Sequence, residues 1–106
     1  MSAQKHTPAP WTVREVSHSN VPGQRAFAID FNKDQEQVVD WVYEEADAKL
    51  IAASPCLLAD LVIAAETLRR YEALHRAKDT AESMAKAEVN AGLASRFEQT
   101  IAKATQ

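Results

Sequence analysis

The chain carries one cysteine, Cys56, and two glycines, Gly23 and Gly92. A lone thiol excludes an internal disulfide framework, and a chain without paired thiols suits a reducing compartment. Two isolated glycines exclude a glycine-rich phosphate loop, whose backbone must approach phosphate at several neighbouring positions. Neither sign of charge dominates: 12 Lys and Arg against 15 Asp and Glu leave a net charge of −3. A non-specific nucleic-acid coat protein would be basic, and the acidic surplus is too small for a DNA mimic. The opening "MSAQKHTPAPW" lacks the apolar core of a secretory signal. The longest apolar-rich run, "CLLADLVIAA", contains Asp60 and is expected to be too short to span a bilayer. A soluble protein with no membrane partner is the resulting expectation.

Groups that carry chemistry are equally sparse. His6, His18 and His75 have no His or Cys neighbour at metal-ligand spacing, so no metal site is expected. Cys56 falls in the first turn of an expected helix, where a thiol pKa drops. It has no histidine nearby to act as base, and two leucines follow it, so a small core residue is the better reading. The carboxylates Asp60, Glu66, Glu72, Glu82 and Glu88 alternate with Lys and Arg, as solvated helix faces do. Nothing pairs them as acid and base. No enzyme, no catalytic residue and no cofactor is expected.

What is present defines a fold. At 106 residues with 46% hydrophobic and 25% charged residues, the chain has the size and composition of one globular domain. Residues 1–10 read as a flexible leader, 11–43 as an antiparallel sheet and 44–106 as helices. "WTVREVS" is a strand with Trp11 and Val13 on one face. Pro22 and Gly23 in "NVPGQ" fit a type II turn, which needs a positive φ at its second central residue. "RAFAIDF" alternates, with Phe27, Ile29 and Phe31 on one side and Ala26, Ala28 and Asp30 on the other. "NKDQ" is a polar turn. "QVVDWVY" is a third strand with Val39, Trp41 and Tyr43 on one face. Strands followed by helices make this an α+β chain of order β-β-β-α-α-α.

"EEADAKLIAAS" opens the helical region with acids, which suits the positive end of a helix dipole. Pro55 costs nothing at the first position of a helix, and Ser54 before it is a favoured N-cap. "SP" therefore reads as the start of a second helix. Leu50 and Ile51, then Leu57, Leu58, Leu61, Ala64, Leu68 and Tyr71, form apolar stripes. Two continuations are open. One helix runs from Pro55 to about Val89 and breaks at "NAG"; the alternative turns at Asp79, where "DTAE" resembles a capping box, and runs from Thr80 to Ala104. The first is favoured. Ala81, Ala85, Val89, Leu93, Phe97 and Ile101 recur every four positions, which drifts ~40° per step, so one straight face cannot use them all. In the long-helix version Leu74, Ala77, Ala81 and Met84 would lack cover, which calls for a homodimer, a higher homo-oligomer or a partner helix.

One polar cluster stands out: Arg69, Arg70, Tyr71, Arg76 and Lys78. Arg69 and Arg76 are seven apart and share a side of a helix. Guanidinium forks match phosphate oxygens, so the cluster is the candidate site for a nucleotide, a nucleic-acid backbone or an acidic protein. The plainer reading is a solvated stripe balanced by Glu66, Glu72 and Asp79. The aromatics Trp11, Phe27, Phe31, Trp41 and Tyr43 could stack bases, but strand alternation assigns them to the core.

The sequence also resembles a family of small phage and prophage proteins. The resemblance rests on "HTPAPW" (His6 to Trp11), "DAKLIAASPCLL" (Asp47 to Leu58) and "TIAKAT" (Thr100 to Thr105). Ser54 and Cys56 depart from the usual Ala and acidic residue, and the shared positions bring no catalytic residue. What the resemblance implies is a setting: a phage gene product acting in the host bacterial cytoplasm, outside the virion. The expected function is a non-enzymatic accessory protein that antagonises a host defence system by stoichiometric binding of a host protein or complex. An oligomeric sponge for a nucleotide signal, and a structural or regulatory interaction module, are the alternatives.

Overall fold

A computed structural model of the chain describes residues 6–16 and 23–106. The order of elements is β1 (Thr12–Val16), β2 (Ala26–Asp30), β3 (Gln37–Val42), α1 (Glu45–Lys78) and α2 (Ala81–Thr105). The expected three-stranded antiparallel sheet is present, in the order β1-β2-β3. Two helices follow it where three were expected. The chain divides into two compact units, Met1–Leu57 and Leu58–Gln106.

In the first unit, all five residues of β2 are buried. Phe27, Ile29 and Ala48 form its core, flanked by Trp11, Val13, Val38, Val39, Val42, Ile51 and Ala52. On the other face of β2, Asp30 is 5% exposed and binds the Arg14 guanidinium of β1 through two hydrogen bonds of 2.8 and 3.2 Å. A buried carboxylate requires such a partner. Gly23 has a φ of 81°, as a type II turn needs, while Pro22 and His18 lie outside the described residues. The polar turn after β2 is organised by Asn32, whose Oδ1 accepts from the Asp34 and Glu36 amides. Of the expected leader, Met1–Lys5 lie outside the described residues. His6 meets Trp11 edge-on, and the Trp11 indole donates to the Thr7 carbonyl at 3.1 Å.

The third strand departs from simple alternation. Phe27 pairs with Val42, Ile29 with Val39 and Asp30 with Gln37, with a register shift at each step. Two residues of β2 are matched by three of β3, so β3 bulges and the parity of its faces changes. Val39 and Val42 therefore both serve the core. Trp41 and Tyr43, expected inside, are 42% and 55% exposed.

Pro55 does not start a helix. It lies inside α1, and Ser54 is not a cap: its hydroxyl donates to the Leu50 carbonyl one turn back. Ala48, Ile51, Ala52 and Pro55 fall at i, i+3, i+4 and i+7, one face of a helix. Ala48 and Pro55 are buried, and Ile51 and Ala52 pack on the core. Packing along that face outweighs the ~3 kcal/mol that an interior proline costs. Cys56 consequently sits in mid-helix, exposed, and not in the first turn of a helix as expected. Unbroken, α1 is by length and composition long and apolar enough to cross a membrane, with 17% of its most apolar stretch buried. The expectation of a run too short to span a bilayer counted "CLLADLVIAA" alone, and the helix extends beyond it on both sides.

In the second unit the chain turns at Asp79, and the favoured break at "NAG" is absent. Asp79 takes a left-handed φ of 53°, and its amide donates to the Arg76 carbonyl. Thr80 then caps α2 by accepting from the Ser83 amide at 3.1 Å. Gly92 stays inside α2. With the turn at Asp79, Leu74 and Ala77 belong to α1, and Ala81 and Met84 to α2, so the four make no single stripe. The buried residues here are all small: Ala65, Ser83, Ala87 and Ala94. The four-residue series indeed serves no single face. Val89 is 70% exposed, while Phe97 and Ile101 are half-buried.

Candidate functional site

The basic cluster resolves into a network that joins α1 to α2. Arg69 donates to both carboxylate oxygens of Glu98, at 3.1 and 2.7 Å, to the Ser95 hydroxyl at 3.1 Å and to Glu72 at 2.9 Å. Arg76 donates to the other oxygen of Glu72 and to Glu88 at 3.0 Å. Glu72 thus lies between two arginines, three residues after one and four before the other, where helix geometry brings side chains together. Arg69 and Arg76 do share a side, as their spacing implied.

The charges tune one another. Arg69, then Arg76, hold the Glu72 carboxyl below its ordinary range, and Arg69 does the same for Glu98. Hydrogen bonds to Glu98 and Glu72 push the Arg69 pKa well above its ordinary value. Arg69, Glu72, Arg76 and Glu98 are therefore ionised at neutral pH, and both guanidinium groups are engaged by carboxylates.

The remaining candidates stand apart. Arg70 and Lys78 are exposed and do not enter the network. Lys78 lies in the last turn of α1, where a cation complements the helix dipole. Tyr71 is 52% exposed. The cluster is thus split: Arg69 and Arg76 meet through Glu72, and Arg70, Tyr71 and Lys78 present themselves separately. Glu72 was legible as their balancing charge, but Glu98, Ser95 and Glu88 come from the other helix and needed the turn at Asp79 to be placed.

A second surface was missed. Trp41, on the edge strand β3, and Tyr43, just past its end, form a tilted pair with ring centroids 6.3 Å apart. The sequence signal was the run of Val38, Val39 and Val42, which could supply the inward set without the aromatics.

A sheet unit and a salt-bridged helical hairpin define the class, a small α+β protein. Over residues 1–106 the chain matches the family described as Salmonella phage P22 protein Y8K6, and it belongs to that family. The phage origin expected from "HTPAPW" and "DAKLIAASPCLL" is thereby established. No curated protein and no solved structure matches the chain.

Proposed function

We propose that this phage protein acts without catalysis, by stoichiometric binding of a host protein in the bacterial cytoplasm, and that the binding blocks a host defence system. The observation that carries the reading is the exposed Trp41–Tyr43 pair. Tyr and Trp are the residue types that anchor protein interfaces, because they bury large area with few rotatable bonds. Here two of them sit side by side at the end of an edge strand, while the neighbouring valines do the packing. Membership of a phage family supplies the setting, in which host proteins are the available targets.

A nucleotide sponge has less support. A phosphate would have to displace Glu72, Glu88 or Glu98 from Arg69 and Arg76, and those carboxylates are already well placed. Among the described residues, Arg70 and Lys78 are exposed and take no part in that network.

The test is recovery of the tagged chain from host lysate. One host protein is expected at near-equal molar amount, lost with Trp41→Ala and Tyr43→Ala and kept with Arg70→Ala. Recovery that ignores both aromatic substitutions would remove the reading.

A further inference from the structure

A strand at the edge of a sheet carries a row of N–H and C=O groups that its one neighbour does not use. Both outer strands here have such a row, and they are guarded differently. β1 is entered from Pro8 and Pro10 and carries Arg14 and Glu15, one charge of each sign. β3 holds neither proline nor lysine, the usual edge guards, and no further strand lies beside it among the described residues. Its bulge re-aims side chains, as bulges beside binding sites do. Trp41 and Tyr43 stand 42% and 55% exposed.

Charge decides which chain can pair there. From Asp34 to Ala48 the sequence carries Asp34, Glu36, Asp40, Glu44, Glu45 and Asp47, and no Lys or Arg. Glu45 is answered by Arg25 at 3.5 Å and Lys49 at 3.6 Å. Among the described residues the other five form no ion pair. The strand and both its flanks therefore lie in a negative field. A second copy pairing edge to edge would set Asp40 and its flanking acids against their own kind, and like charges directly opposite destabilise a strand pair. Anionic lipid and nucleic-acid backbones are repelled for the same reason. An extended protein segment of opposite charge gains twice. Its backbone completes the ladder, and its Lys or Arg side chains meet the carboxylates. The faces of Trp and Tyr rings attract the same cations.

We infer that the host protein adds a strand to the free edge of β3, and that the added segment is basic, with Lys or Arg at alternate residues. Alternate residues of a strand share a face, so this spacing gathers the cations on one side of the added segment. The inference rests on the reading that Trp41 and Tyr43 meet a host protein, and it adds the form and the charge of what they meet.

The experiment selects binders of the full chain from a random library of peptides of about 12 residues, long enough for a strand of ordinary length. Expected are sequences with Lys or Arg at alternate positions and β-branched residues between them, binding more weakly as salt rises. In the tightest of them, N-methylation of the amides along one edge should abolish binding and methylation along the other should leave it, because only one edge pairs. Amide exchange should slow in Gln37–Val42 and not in α2. Asp40→Lys combined with Glu44→Lys, both exposed positions, should weaken the peptide by at least about 10-fold. Arg70→Ala should not. A selection without binders, binders without an excess of Lys and Arg, or binding that survives methylation of either edge would overturn the inference.

Host recovery separates this from the reading beneath it. Recovery lost with Tyr43→Ala but kept in the Asp40→Lys, Glu44→Lys variant leaves the aromatic anchor standing and removes the basic strand. Recovery that survives the aromatic substitutions removes both.

Discussion

Arg69 of α1 holds Glu98 of α2 by two hydrogen bonds of 3.1 and 2.7 Å across 29 positions of sequence. The pair is partly exposed, so it works as one part of a network with Glu72, Arg76 and Glu88. Arg69→Ala and Glu98→Ala should each lower the melting temperature of the hairpin. The double variant should be less destabilised than the sum of the two, because both remove the same contact. Hydrogen exchange across α2 reports it, and strictly additive effects would show that the pair is not coupled.

Acid should loosen the same network. Glu72 and Glu98 titrate in the folded chain below the usual glutamate value of 4.5. A depressed carboxyl pKa contributes stability that is complete above the unfolded value and disappears as pH falls through the folded one. Thermal stability should therefore be flat from pH 7 to about 5 and decline below about 4.5. In Glu72→Gln that decline should be shallower. A loss of stability that begins near pH 6 would assign the acid sensitivity to histidine.

Gly92 is exposed within α2, and a Cβ built on it meets nothing within 4 Å. Gly92→Ala should stabilise the chain by roughly 0.5–1 kcal/mol, since glycine loses more backbone freedom on folding. Thr80→Ala should act the other way by about 1 kcal/mol, through loss of the cap. Urea melts of both variants check the signs.

Ile29 is fully buried at the centre of the sheet unit. Ile29→Ala should cost about 2–5 kcal/mol, whereas Val38→Ala, half-buried at the margin, should cost less. Equal costs would place the core elsewhere.

These elements differ in how far the sequence revealed them. β2 was legible because "AFAID" alternates and stays in register with β1. β3 was legible as a strand but not in its facing, because a bulge is a pairing event and leaves no mark in composition. "SP" carried a correct local preference, a cap and a starter, which the buried face through Ala48, Ile51 and Ala52 overrode. The reverse held at Asp79: "DTAE" marked the right corner, though the cap is Thr80 and not the acidic Asp79, and it was outweighed on reading by a glycine that α2 absorbs. Arg69 and Arg76 were legible as a pair on one side of a helix. Their carboxylate partners were not, since Glu88 and Glu98 depend on the path of the chain through the turn.

Native mass spectrometry of the tagged chain recovered from host cells, read for both protein and small molecules, bears most directly on how this phage protein acts. One host polypeptide in fixed ratio to the chain, without a nucleotide and absent when Trp41 and Tyr43 are alanine, is the expected result. A chain that leaves the cell carrying a nucleotide and no host polypeptide, with the load lost in Arg70→Ala, would contradict it.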